Sequence, residues 1–133
     1  MNISSILATM FSLKGADRAA PPVQRLSARE AHDKQRAGEI TLIDVRTPAE
    51  WRQTGVPQGA SRATLQDADF LKQVMTLTGG FEAPVAFVCR SGQRSGQAAA
   101  QARSVGFTQV YNVVGGVEGP EGWLAERLPV THS

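Results

Sequence analysis

The sequence predicts an α/β domain, a small parallel β-sheet flanked by helices on both faces. Three runs, residues 41–45 (TLIDV), 84–88 (PVAFV) and 109–114 (QVYNVV), are rich in apolar and β-branched side chains without regular polar alternation, as expected of strands covered on both sides. The stretches between them carry helix start and stop signals. Alternation of the two kinds of element implies right-handed crossovers between parallel neighbours.

Taken in order, residues 1–13 place Ile3, Ile6, Leu7, Met10 and Leu13 at helical spacing on one apolar stripe. Residues 15–22 (GADRAAPP) have the composition of a linker, so an N-terminal amphipathic segment and linker over 1–22 precede a domain expected over 23–133. Ser27, with Glu30 three residues on, forms a capping box that opens a helix over 28–37, ended by Gly38. The first strand follows at 41–45, and Pro48 after Thr47 restarts a helix with proline at its first position. The second strand runs into Cys89. The Ala- and Gln-rich stretch beyond it is expected to be helical up to Gly106. After the third strand, Gly115 and Gly116 break the chain before a last helical piece over 123–127.

A chain of 133 residues, 41% hydrophobic and 20% charged, fits one globular domain, large enough to fold without disulfides or a structural metal. The single cysteine allows no internal disulfide, and His32 and His132 lack metal-ligand spacing, so no metal or cofactor is expected. His32 has no companion on its helix and is expected at the surface. Trp51 and Trp123 read as packing residues. A net charge of +2 without a Lys/Arg run gives no support for a nucleic-acid surface. Arg supplies eleven of the fourteen basic side chains, and its guanidinium fork suits a small anion. The N-terminal stripe is too short to span a bilayer and lacks the basic start and cleavage site of a signal peptide, so no integral membrane segment and a cytoplasmic location are expected.

Ligands of open α/β sheets bind beyond the carboxyl ends of the strands, where Cys89 lies between a strand and the following helix. Arg90, Ser91, Gly92, Gln93, Arg94 and Ser95 include nothing apolar. A loop of this composition can curl so that its N–H groups converge on one point, with the helix N-terminus adding positive potential. Both effects, and the two arginines, favour thiolate over thiol at Cys89. A cysteine buried as a small hydrophobe is the plain alternative, but such a residue requires no anion nest.

Over residues 23–130 the chain resembles the rhodanese family. Asp44-Val45-Arg46 resembles the family's D-V-R at an early strand end, and Glu50-Trp51 its acidic-aromatic pair. Gly55-Val56-Pro57-Gln58-Gly59-Ala60 resembles the G-H-I-P-G-A turn, residues 89–95 (CRSGQRS) the active-site loop, and Gly115-Gly116 the closing glycine pair. The resemblance implies that Cys89 takes the outer sulfur of a small anionic donor such as thiosulfate as a persulfide and passes it to cyanide or a thiol, or to a protein acceptor. The amides of residues 90–94 would hold the sulfur anion, and the guanidiniums of Arg90 and Arg94 would bind the donor. Asp44, Arg46 and Glu50 would brace the loop, with Arg46 pairing with Glu50.

Two departures stand out: Val56 replaces the usual His of the turn, and residues 116–123 (GVEGPEGW) form a longer segment, expected to wall the pocket. The competing functions are a non-catalytic binding module of the same family and a same-fold phosphatase or arsenate reductase. In the latter, five residues separate Cys from Arg. Here four do, giving a cradle compact enough to favour sulfur over a tetrahedral phosphoryl group.

Overall fold

The computed structural model describes residues 22–132. The amphipathic stripe expected over 1–13, and the linker short of Pro22, lie outside the described residues. A five-stranded sheet, all pairs parallel, is built from β1 (Gln24–Leu26), β2 (Thr41–Asp44), β4 (Ser61–Arg62), β5 (Val85–Val88) and β6 (Val110–Val113), in the order β1-β6-β5-β2-β4. Two further strands, β3 (Val56–Pro57) and β7 (Val130–Thr131), pair antiparallel apart from it. The helices are α1 (Ala28–Arg36), α2 (Pro48–Thr54), α3 (Phe70–Thr78) and α4 (Gln93–Val105).

The expected α/β architecture is observed, and the period of two along the strands explains how it is held. Ile43, Val85 and Phe87 point into one apolar cluster with Phe70 and Val74 of α3 and Ala98, Ala99 and Ala102 of α4. Their neighbours Leu42, Ala86 and Val88 point the other way, against Ala28 and Ala31 of α1, Val117 and Trp123. All four residues of β5 are buried, which accounts for the missing polar alternation. The alanines of α4 let that helix lie close on the sheet.

The capping box at Ser27 and Glu30 is formed: the Glu30 amide donates to Ser27 Oγ at 3.0 Å and the Ser27 amide to Glu30 Oε1 at 2.8 Å. The expected helix over 123–127 is instead a series of turns. The glycines and proline between residues 115 and 122 lead the chain in a compact path, and the Trp123 amide donates to the Gly116 carbonyl at 2.8 Å rather than to a preceding helical turn. Trp123 is fully buried, its indole N–H donating to the Pro129 carbonyl at 2.7 Å. His32 is also misjudged by the sequence. Its ring stands edge-on to Trp123, centroids 5.7 Å apart, with its side chain only 12% exposed.

The register sets the site. Asp44 lies beside Val88, so the carboxyl ends of the two central strands finish at one edge of the sheet.

Candidate active site

Cys89 follows the last residue of β5 and is 1% exposed. The chain then turns through Arg90, Ser91 and Gly92 into α4. Gly92 has φ +110°, and a Cβ there would stand 2.8 Å from the Val114 carbonyl oxygen, so the turn requires glycine. In this conformation the Gly92 amide donates to Cys89 Sγ at 3.1 Å, and Ser95 Oγ lies 3.2 Å from the same sulfur. Burial pushes the thiol pKa up. The Ser95 hydroxyl and the amides of Ser95, Gly92 and Ser91 outweigh it, and the net result lies below the ordinary thiol value.

Ser95 is buried and has one hydroxyl proton to give. Its oxygen is 2.7 Å from Asn112 Oδ1, and Asn112 Nδ2 donates to the Gly92 carbonyl at 3.2 Å. When Cys89 is a thiol, Ser95 can donate to Asn112 and accept from S–H. When the sulfur is an anion, the hydroxyl proton turns toward it. Asn112, on β6, therefore braces both the turn and the hydroxyl.

The two loop arginines are both engaged by carboxylates. Arg94, in the first turn of α4, makes a two-pronged contact with Glu50 of α2, Nη1 to Oε1 and Nη2 to Oε2, each 2.7 Å. Glu50 also accepts from the Thr47 amide at 3.2 Å in a capping box that starts α2. Arg94 first, then Thr47, hold the Glu50 carboxyl at about 2 against the upward push of burial, and Glu50 raises the Arg94 pKa in turn. Arg90, its side chain 66% exposed, has its Nε 3.7 Å from Glu118 Oε2.

The expected Arg46–Glu50 pair is not formed. Arg46 is fully buried and pairs with the equally buried Asp44, Nη2 to Oδ2 at 2.8 Å and Nε to Oδ1 at 3.0 Å. Its remaining donors reach Thr54 Oγ1 and the Gly55 carbonyl, both at 2.9 Å. An arginine two residues beyond the carboxylate folds back over the strand end, while Glu50 turns outward to Arg94. Asp44 and Arg46 thus tie the end of β2 to the end of α2. Ser91 and Gln93 are exposed, while Gly92 is half-buried.

Residues 115–122 cover the loop from the other side, as a wall. The Val117 amide donates to the Cys89 carbonyl at 2.8 Å and the Glu118 amide to the Arg90 carbonyl at 2.9 Å. Gly116, at φ +62°, has the Arg90 carbonyl where a Cβ would be. Beside the loop, Glu50, Gln53, Thr54, Arg90 and Glu118 line a cavity of about 500 Å³. A smaller cavity of about 280 Å³ against α3 includes no residue of the Cys89 loop.

The model of the rhodanese-like domain matches residues 27–123, which hold every residue of this arrangement. The chain belongs to the rhodanese-like domain family. An uncharacterized protein of Rickettsia conorii is 30% identical over 118 residues, covering 80% of this chain and 96% of that one. The thiosulfate sulfurtransferase GlpE of Pseudomonas syringae pv. syringae is 30% identical over 95 residues, 71% of this chain and 84% of the relative. The polysulfide-sulfur transferase homodimer of Wolinella succinogenes, solved in solution, is similar with a TM-score of 0.68 at 28% identity, covering 97% of this chain and 95% of that chain. The rhodanese relatives of this chain thus include sulfurtransferases.

Within this rhodanese domain, Asn112 and Glu118 are residues that sequence reasoning missed. Asn112 is a polar side chain inside an otherwise apolar strand run, a signal that it has a buried partner. Glu118 gave no such signal. Its place beside Arg90 is set by the turns after Gly115.

Proposed function

We propose that this rhodanese domain is a sulfurtransferase that carries a sulfane sulfur as a persulfide on Cys89. The observation that carries the reading is the convergence of the Gly92 amide and the Ser95 hydroxyl on a buried sulfur at the end of β5. A core cysteine has no use for such donors. A sulfur anion does, because inside a low-dielectric site fixed donors replace the water it has lost.

In the first step the Cys89 thiolate attacks the outer sulfur of thiosulfate. The new S–S bond forms as the old one breaks, sulfite leaves with the electron pair, and Cys89 becomes Cys–S–S⁻. In the second step cyanide or a thiolate attacks the terminal sulfur, which leaves as thiocyanate or a new persulfide and returns the thiolate. The chain holds no second thiol, so discharge uses an external nucleophile, a small thiol or the cysteine of an acceptor protein. Arg90 to Ser95 form the substrate loop in this reading, and Asp44, Arg46 and Glu50 act as its supports. The reading carries a cytoplasmic location with it, where thiols stay reduced. Among the described residues no helix is long and apolar enough to cross a membrane.

Because the Arg94 fork is filled by Glu50, it is not open to grip a tetrahedral phosphoryl group, which supports sulfur chemistry over the phosphatase alternative. Intact-mass measurement after thiosulfate treatment, then after cyanide, tests the proposal. A gain of one sulfur atom that cyanide removes is expected. A chain that takes up no sulfur is a binding module instead.

A further inference from the structure

The charges around the Cys89 loop are paired one by one. Arg94 faces Glu50 through two 2.7 Å contacts, Arg46 is buried against Asp44, and Arg90 faces Glu118 at 3.7 Å. The cavity beside the loop is lined by two carboxylates, Glu50 and Glu118, and one guanidinium, Arg90. A site built to capture a dianion would leave a cation unopposed, and here each of these three has a partner.

Glu118 is held in place from behind through its backbone. Its amide is bonded to the Arg90 carbonyl, and Gly116 lets the chain close on the same carbonyl. Its side chain is 31% exposed, and its carboxylate also lies 4.0 Å from Nη1 of Arg46. Arg90, by contrast, has its side chain mostly in solvent, so although it faces Glu118 it can turn toward a ligand.

We propose that Glu118 is a specificity-determining residue. It neutralises Arg90 at the cavity and turns the site toward sulfur donors bearing one negative charge, such as thiosulfonates and organic persulfides, over dianions such as thiosulfate. The donor class rests on the sulfurtransferase reading; the charge effect on Cys89 does not. With a thiosulfonate, the Cys89 thiolate takes the outer sulfur to give Cys–S–S⁻, and a sulfinate leaves with the electron pair. One negative charge on each reactant becomes one on each product.

Two pairs of probes test this on the full chain and its Glu118→Gln variant. Iodoacetate and iodoacetamide both alkylate the sole thiol with loss of iodide, and only the first is charged. An exposed ion pair is worth up to about 1 kcal/mol, so Glu118→Gln should raise the iodoacetate-to-iodoacetamide rate ratio by roughly two- to fivefold at low salt. Glu118→Asp should stay near the parent ratio, and Arg90→Gln should lower it. High salt should shrink all these differences. With sulfur donors, Glu118→Gln should raise kcat/KM for thiosulfate over that for methanethiosulfonate by a similar factor. A ratio unmoved by Glu118→Gln in the alkylation pair overturns the charge role. If neither donor loads Cys89 of the parent chain, the sulfurtransferase reading and the donor preference fall together, while the alkylation ratio still decides whether Glu118 governs charge at the thiol.

Discussion

Glu50 and Arg94, on α2 and α4, meet in a forked contact of two 2.7 Å hydrogen bonds, although 44 residues separate them in the chain. The contact fixes the first turn of the helix that carries Ser95. It also spends the guanidinium that would otherwise be offered to a donor anion, so Arg94 supports the cradle from outside.

Removing that fork should cost stability more than donor binding. Arg94→Ala should lower unfolding free energy by about 1–2 kcal/mol, and Arg94→Lys should recover only part of it, since an ammonium cannot fill both oxygens. Urea titrations of the three chains measure this. Equal midpoints and slopes would show that the fork is energetically idle.

The same pair predicts a pH dependence. Glu50 titrates at about 2 in the folded chain against an ordinary value of 4.5. Its contribution is therefore complete above about 4.5 and is lost as pH falls from there through about 2, because the unfolded chain binds the proton first. Glu50→Gln should be less stable than the parent at neutral pH, and the difference should narrow across that acid window. A gap that stays constant down to the lower limit would contradict the depressed carboxyl.

Cys89→Ser should fold as the parent does, the hydroxyl occupying nearly the same space, and should gain no mass from thiosulfate. Sulfur uptake that survives the substitution would place the chemistry elsewhere.

Ser95→Ala removes the hydroxyl nearest Sγ while leaving the Gly92 amide. The thiol should titrate higher than in the parent, and alkylation by iodoacetamide near neutral pH should slow by roughly tenfold, the worth of one hydrogen bond to a charged group. The rate as a function of pH reads both effects. An unchanged profile would leave the amides as sole stabilisers of the anion.

Arg46→Ala strands the fully buried Asp44 carboxylate and should cost about 3–5 kcal/mol. Replacing Asp44 and Arg46 together by apolar side chains should cost less than Arg46→Ala alone. Chemical denaturation of the single and double variants gives the comparison, and a double variant no more stable than Arg46→Ala would point to a requirement for the pair beyond charge balance.

Much of this molecule could be read locally. The three apolar runs, the Ser27 capping box and the polar turn after Cys89 are encoded within a few residues of where they act, and they are found where expected to within one or two positions. What escaped depends on packing. The resemblance pairs Arg46 with Glu50, yet its carboxylate is Asp44, only two residues back, because a buried guanidinium folds back on the strand end that carries it. The partner of Glu50 is known only once α2 and α4 are side by side. The turns at 123–127 replace a helix because Trp123 sits in the core and the chain around it follows the needs of that one side chain. His32 looked solitary because its companion, Trp123, lies at the far end of the sequence.

The hydrogen bonds from Val117 and Glu118 to the carbonyls of Cys89 and Arg90 make two segments into one mechanical part. Lengthening or shortening the stretch after Gly115 would pull on the peptide group of Cys89 itself. On the reading proposed above, donor choice in this chain is tuned by side chains, at positions such as 118 and 90, while the backbone between them stays tied. An engineer seeking a different substrate should redecorate this wall and leave its backbone alone.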